Sequence, residues 1–333
     1  MRIALDAMGG DHAPQDMVNG AWDFVQTHGQ HHVILVGDQA KIEQALEGRP
    51  LGNNLSIVHA PQVIDMGEHP AQAVRRKKDA SVVVCANLVR KGEADAMVSA
   101  GNTGATMASA LLRIGRIPGI DRPAIGSPMP TLQGPSVIVD AGANAECKPV
   151  NLQQFAIMGS IYMEKVMGIS RPRIGLLSIG EESTKGNDLV LETYGLLEQT
   201  SGINFIGNIE GRDILLGAAD VVVCDGFVGN IVLKFAEGMG KGLFSLIKRE
   251  LTRDMKSKLG ALLVKDGLKR VAAAVDYTEY GGAPLLGVKG VSIISHGSSN
   301  RKAIRNALIA AMEAVDNQVV STIQANIEDA DGE

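Results

Sequence analysis

Short apolar runs of β type alternate with helical patterns along almost the whole of this 333-residue chain, and glycine marks most of the places where a run ends. That alternation restricts the fold more than any other feature. Strands are predicted at Arg2–Asp6, His32–Gly37, Leu55–Ala60, Ala96–Ala100, Ala124–Pro130, Ser136–Asp140, Arg173–Ile179, Ile203–Asn208, Val221–Asp225 and Val291–Ser295. Continuous runs such as Val33–Val36 and Val221–Val223 predict strands buried on both faces. Helices are predicted between them, among others at Asp38–Leu46, Val150–Met167 and Asn187–Gln199. The expected fold is α/β: a Rossmann-like α/β/α sandwich with a mostly parallel sheet. With no Pro/Ser-rich linker, residues 1–333 are expected to form a single domain. Ligands in such sheets sit at the carboxyl ends of the strands.

One strand–glycine–helix turn occurs twice in nearly the same words, ADAMVSAGNTGA at 94–105 and ADVVVCDGFVGN at 219–230. A turn of this kind points backbone N–H groups, at the positive end of a helix dipole, toward an anion. Gly101, Asn102, Thr103 and Gly104 of the first copy are therefore candidate phosphate or substrate ligands. So are Asp225, Gly226 and Gly229 of the second, with Lys234 one turn into its helix and Asn230 beside it. The competing role for these side chains is helix capping, and for the glycines simple turn geometry. No G-x-x-x-x-G-K-[ST] run occurs, and no G-x-G-x-x-G follows the first strand, which argues against nucleotide chemistry.

Lys185, in Ser-Thr-Lys-Gly-Asn, is the best-placed cation near a strand end, with an ordinary surface lysine as the alternative. His296 ends a strand and is a candidate donor or base, with local turn hydrogen bonding as the alternative. His28, His31 and His32 cluster without the carboxylate or cysteine pattern of a metal site, so no metal is expected. Three cysteines without a pairing pattern fit a reducing compartment. Cys224 reads as a buried thiol and Cys147 as the more reactive of the pair, each without a base partner.

The rhythm breaks between Asn230 and Val275, where no strand is predicted and apolar residues recur at helical spacing from Val232 to Met255. A long helical hairpin is expected over 230–275, inserted within the sheet domain. Residues 248–270 hold eight basic residues against three acidic ones, in a chain whose formal net charge is −5. Arg253, Lys258 and Lys265 stand there among Leu259, Leu262 and Leu263. A basic tip with clustered aliphatics fits a membrane surface or an acidic protein partner; a dimer interface is the other reading. The overall negative charge argues against nucleic acid. No apolar run reaches the roughly 18 residues of a membrane span. Met1-Arg2 leads straight into the first strand without a leader pattern, so a cytoplasmic location is expected.

Segments spread in order along the chain resemble the PlsX family of bacterial phosphate acyltransferases. They are IALDAMGGDHAP (3–14), RRKKDAS (75–81), VSAGNTGAT (98–106), DAGANAECKP (140–149), GEESTKGN (180–187), IGNIEGRDI (206–214), DVVVCDGFVGN (220–230), YTEYGGAPLLGVKG (277–290) and HGSSN (296–300). The resemblance implies the fold of the phosphate acetyltransferase and isocitrate dehydrogenase group, with no required metal or nucleotide cofactor. It implies acyl transfer from acyl carrier protein to inorganic phosphate, yielding acyl phosphate for phospholipid synthesis. It also implies a homodimer that associates peripherally with the membrane. Lys185, Asn230 and His296 are then the candidate catalytic residues. The competing reading is a short-chain enzyme that uses coenzyme A and has no need of the basic hairpin; a membrane-surface scaffold without activity is a third.

Overall fold

A computed structural model describes residues 1–274 and 280–330. Among these, eleven strands form one sheet. They are β1 (Arg2–Asp6), β2 (His32–Gly37), β3 (Leu55–His59), β4 (Ala96–Ser99), β5 (Ala124–Thr131), β6 (Gly134–Val139), β7 (Arg173–Ser178), β8 (Asn204–Glu210), β9 (Val221–Val223), β10 (Ala283–Leu286) and β11 (Val291–Ile294). Their order is β3-β2-β1-β4-β11-β10-β5-β6-β9-β7-β8. The helices are α1 (Gln15–Thr27), α2 (Gln39–Leu46), α3 (Pro70–Arg76), α4 (Ser81–Arg90), α5 (Thr103–Ser109), α6 (Pro149–Lys165), α7 (Asp188–Gln199), α8 (Gly211–Ile214), α9 (Gly226–Leu251), α10 (Met255–Ala274), α11 (Arg301–Asp316) and α12 (Val319–Ala330).

The central strands are apolar on both faces, and alternate residues enter different cores. Ile3, Leu5, Val33 and Leu35 pack with Phe24 of α1, Phe155 of α6 and Ile304 of α11. Their neighbours Ala4, Ile34 and Val36 pack the other way, with Val74 of α3 and Val83 of α4. The strand period of two thus gives the sheet a helical layer on each side. In the second half, Ile138, Val222 and Ile209 pack with Val232 and Ala236 of α9.

All ten predicted strands are present, and β10 is an eleventh. Pro284 inside Ala-Pro-Leu-Leu counts against a central strand, because proline has no N–H to give a ladder. The segment is nonetheless central, pairing antiparallel with both β11 and β5. The β5–β6 pair is an antiparallel hairpin. Within each half of the sheet the strands are parallel, and across β10 and β5 the direction reverses.

That reversal makes the site. Val139, the last residue of β6, pairs with Gly126, one residue beyond the Ile125–Leu285 pair. Pro284 pairs with Ile293, which pairs with Val98 near the end of β4. The two halves are therefore staggered, with the carboxyl edge of one facing the carboxyl edge of the other. Glycine loops 99–104 and 295–300 meet loop 140–144 and the start of α9 across this junction.

The helix after β9 begins at Gly226, four residues before the expected start, and runs unbroken through Gly238, Gly240 and Gly242 to Leu251. Its 26 residues span about 39 Å at about 1.5 Å per residue. Thr252–Asp254 turn the chain into α10; the expected hairpin end at Val275 lies outside the described residues.

Candidate active site

At the junction lies a cavity of about 180 Å³. Thr103 and Ala303 look in from the first turns of α5 and α11, and Asn230, Leu233, Lys234 and Glu237 from α9. Ile125, Ser127 and Pro128 of β5, Ala141, Tyr280–Ala283 and, at and after the end of β11, Ile294, Ser295, His296 and Ser299 complete the walls. The lining mixes apolar side chains (Ile125, Pro128, Leu233, Ile294) with amide, hydroxyl, imidazole, ammonium and carboxylate groups.

Buried aspartates fix the two glycine turns. Asp6, at the end of β1, accepts the Ser99 hydroxyl at 2.7 Å and the Met8 N–H at 3.2 Å; Ser99 in turn accepts the Gly101 N–H at 3.1 Å. Asp140, just past β6, accepts N–H bonds from Ile125, Gly142 and Ala143 on Oδ1. Its Oδ2 accepts both the backbone N–H and the side-chain amide of Asn144. Burial pushes both carboxyls above the ordinary carboxylate range, against the hydrogen bonds that pull them down. The Asn144 carbonyl then accepts the Gly226 N–H at 2.8 Å, which locks the start of α9 to this loop.

Several N–H groups expected to hold an anion are thus already used. Gly101 bonds Ser99, Gly226 bonds Asn144, and Gly229 bonds the Asp225 carbonyl. Asn102 caps α5 through the Ala105 N–H at 3.0 Å and donates to the Met66 carbonyl at 2.9 Å. Asp225 caps α9 through the Val228 N–H at 2.9 Å. The glycines answer to packing: a Cβ on Gly104 would come within 2.6 Å of Pro70, and one on Gly229 within 1.9 Å of the Asp140 carbonyl oxygen. Gly101, Asn102, Gly104, Asp225, Gly226 and Gly229 shape the turns but do not line the cavity.

Of the expected functional side chains, Thr103, Asn230, Lys234 and His296 come together on the cavity wall. Asn230 sits against Gly142, where a Cβ would make only ordinary contact at 3.6 Å and the φ of +131° is what calls for glycine. His296 Nδ1 accepts the Ser298 N–H at 3.2 Å, which puts the ring proton on Nε2. Lys185 is not on the cavity wall. It stands exposed on the 180–187 loop, whose backbone is tied down by Ser178 and by Asn208. Leu176 pairs with Val223, so this loop leaves the sheet one strand spacing, about 4.8 Å, from the Asp225 turn. Arg253, Lys258, Leu259, Leu262, Leu263 and Lys265 are all exposed beyond the sheet.

Sequence reasoning passed over Ser127, Ser295, Ser299 and Glu237. Glu237 was within reach of it: 230, 233, 234 and 237 share one helical face, so a functional Lys234 brings Glu237 with it. The two cysteines near the junction are poor nucleophiles. Burial beside Asp140 and Asp225 pushes the Cys147 thiol up to about 11. Burial and the same acids hold Cys224 well above its ordinary value. Among the described residues no His, Cys, Asp and Glu cluster could hold a metal, and no helix is long and apolar enough to cross a membrane.

A model of the family described as "Fatty acid synthesis protein" matches residues 1–322. The phosphate acyltransferase of Desulforamulus reducens is 52% identical over 332 residues, covering 100% of this chain and 99% of that one. That of Heliobacterium modesticaldum is 57% identical over 330 residues, covering 98% of each. The chain belongs to the PlsX family of phosphate acyltransferases. It is an acyltransferase. Among solved structures, a phosphotransacetylase from Streptococcus pyogenes superposes with a TM-score of 0.65 at 20% identity, covering 95% of this chain and 94% of that one. A branched-chain phosphotransacylase from Enterococcus faecalis gives 0.58 at 15%, covering 95% and 99%. At those identities the likeness speaks to the fold alone: the mostly parallel α/β sheet with its helices is shared.

Proposed function

We propose that this phosphate acyltransferase moves a long-chain acyl group from acyl carrier protein to inorganic phosphate, releasing acyl phosphate for phospholipid synthesis. The observation that carries the reading is the mixed lining of the cavity, where Ile125, Pro128, Leu233 and Ile294 stand among Thr103, Asn230, Lys234 and His296. Thr103 and the Lys234 ammonium hold phosphate. A phosphate oxygen attacks the thioester carbonyl carbon, and the carbonyl electron pair moves onto its oxygen. The Asn230 amide donates to that oxyanion, the kind of contact whose removal costs about 10²–10³-fold in turnover. The intermediate collapses, the C–S bond breaks, and the proton that phosphate loses ends on the leaving sulfur as a thiol, while His296 Nε2–H donates a hydrogen bond to that sulfur and keeps its own proton. A thioester is already activated, so alignment of the two reactants supplies much of the rate. With both nearby thiols held protonated, direct attack is favoured over an acyl-cysteine intermediate. Lys185, on the loop beside the second turn, meets the anion from the rim.

The outer face of α9 fits a second copy of the chain. Phe227, Ile231, Phe235 and Met239 follow at four-residue intervals, each more than half exposed. At the far end, Leu259, Leu262 and Leu263 with Arg253, Lys258 and Lys265 fit the surface of an anionic membrane, where each basic residue contributes about 1 kcal/mol. A homodimer lying peripherally on the cytoplasmic membrane face would release its insoluble product where it is used.

The test is incubation with long-chain acyl carrier protein and labelled phosphate. Labelled acyl phosphate is expected; none overturns the reading, and product from acetyl-coenzyme A alone replaces the donor. Loss of liposome flotation in Leu262→Glu is expected for the tip, and undiminished flotation rules out its insertion.

A further inference from the structure

The cavity face of α9 carries opposite charges side by side. Asn230, Leu233, Lys234 and Glu237 all line the cavity, and Lys234 Nζ lies 3.0 Å from Glu237 Oε2. The lysine side chain is 53% exposed, the glutamate only 17%. Long helical side chains lean toward the helix N-terminus, so the Glu237 carboxylate lies back over the preceding turn, toward Lys234 and Asn230. A lysine suits an anion site. A carboxylate on the same wall repels any anion that has lost all its protons, and offers only lone pairs.

Such a carboxylate helps where the anion carries a proton of its own. Near neutral pH, phosphate as HPO₄²⁻ keeps one P–OH. Sulfate has the same shape and charge and no O–H. The geometry points to Glu237 as the specificity-determining residue of the anion site. Held by Lys234, its carboxylate accepts the P–OH hydrogen bond and so selects a protonated tetrahedral oxyanion over an unprotonated one. The inference rests on the acyl-transfer reading and adds the means of choosing phosphate. Discrimination then comes from repulsion and an unmet acceptor as much as from attraction. The alternative is an ordinary i,i+3 ion pair with a small effect on the helix, which would leave anion choice untouched.

The experiment compares the inhibition constant of sulfate with the KM for inorganic phosphate. In the unaltered enzyme sulfate is expected to be weaker by about 10²-fold. Arsenate, which keeps an O–H at neutral pH, should compete like phosphate. Monofluorophosphate, a dianion without one, should be as weak as sulfate. Glu237→Gln, whose amide can donate to sulfate, should lower the sulfate-to-phosphate ratio about tenfold. Glu237→Asp keeps the carboxylate and should keep the ratio, while Lys234→Met should weaken both anions in parallel. A folded Glu237→Gln enzyme with the original ratio overturns the inference. So does unaltered enzyme on which sulfate and monofluorophosphate compete as well as arsenate, a result that needs no variant to fold. Unaltered enzyme that makes no acyl phosphate overturns the parent reading instead.

Discussion

The turn at Ser99–Gly104 and the turn at Cys224–Gly229 share a residue pattern and a buried aspartate behind them, but different donors meet the two acids. Asp6 is met by the hydroxyls of Ser99 and Ser81 and by the N–H groups of Met8 and Gly9, and a hydroxyl can donate or accept. Asp140 is met by amide donors alone, four of them backbone N–H groups that cannot turn round. The first turn opens a seven-residue helix and brings one side chain, Thr103, to the cavity. The second opens a 26-residue helix and brings four. The stiffer support lies under the turn that positions more of the site, because an error at the start of α9 is carried to Asn230, Lys234 and Glu237 together.

The sharpest way to break this comparison is an added methyl group. Gly229→Ala drives a Cβ into the backbone oxygen of Asp140, where neither side can move aside. A loss of about 3 kcal/mol is expected, with activity falling alongside it. Gly101→Ala meets the Ser99 hydroxyl at 3.3 Å and the Asp6 carboxyl and the Gly9 Cα at 3.4 Å, none of them a hard clash, and should cost about 1 kcal/mol. Denaturant unfolding of both variants checks this; equal losses would mean that the two turns are equally constrained.

Next come the side chains that the turns deliver. Asn230→Ala should lower turnover about 10²-fold if its amide meets the oxyanion. Thr103→Val should mainly raise the phosphate KM, by about tenfold, the loss of one hydrogen bond to a charged ligand. Steady-state kinetics with phosphate and acyl donor varied separately distinguishes them. An Asn230→Ala effect confined to the phosphate KM would move that residue from the oxyanion to the anion.

The extent to which sequence foretold these features follows from what each depends on. Val33–Val36 and Val221–Val223 announce buried strands because burial on both faces leaves a continuous apolar run. β10 was hidden because Pro284 breaks the strand rule locally while its neighbours Ile293 and Ile125 hold the segment in place. The convergence of Thr103, Asn230, Lys234 and His296 was half legible: Thr103 and His296 stand just after strands, and Asn230 and Lys234 lie in the opening turns of the helix that follows β9. That two carboxyl edges face each other depends on the direction of β5 and β10, which no periodicity records. The Gly226 N–H looked open to an anion because its partner, the Asn144 carbonyl, is distant in sequence, whereas the Gly101 and Gly229 N–H groups are taken locally by Ser99 and Asp225.

Asparagine in place of each aspartate separates the two supports further. In Asp140→Asn an amide NH₂ must face N–H donors on one side or the other, leaving at least one buried donor unpaired. About 2 kcal/mol should be lost. In Asp6→Asn the new NH₂ can donate to the Ser99 oxygen while the remaining oxygen accepts from Met8, so about 1 kcal/mol or less is expected. Thermal melts of the pair check the order; a costlier Asp6→Asn would mean that the hydroxyl partner is as rigid as the amides.

The smallest effect is the pH dependence of that last variant. Burial raises the Asp6 carboxyl above its ordinary value, whereas in the unfolded chain it titrates near about 3.9. Between those two values the native chain keeps a proton that the unfolded chain has lost. Native stability from this group is therefore full below the unfolded value and is lost as pH rises through the folded one. Asparagine has no such proton, and all other groups cancel when the two proteins are compared at one pH. The melting temperature of the unaltered protein minus that of Asp6→Asn should thus grow as pH is lowered from 7 toward 4.5. Calorimetry at the two pH values reads it directly. A constant difference would mean that the carboxyl is unshifted. A shrinking one would mean that the Ser99 and Met8 hydrogen bonds outweigh burial, which would make the first turn, like the second, a support built around a charged acid.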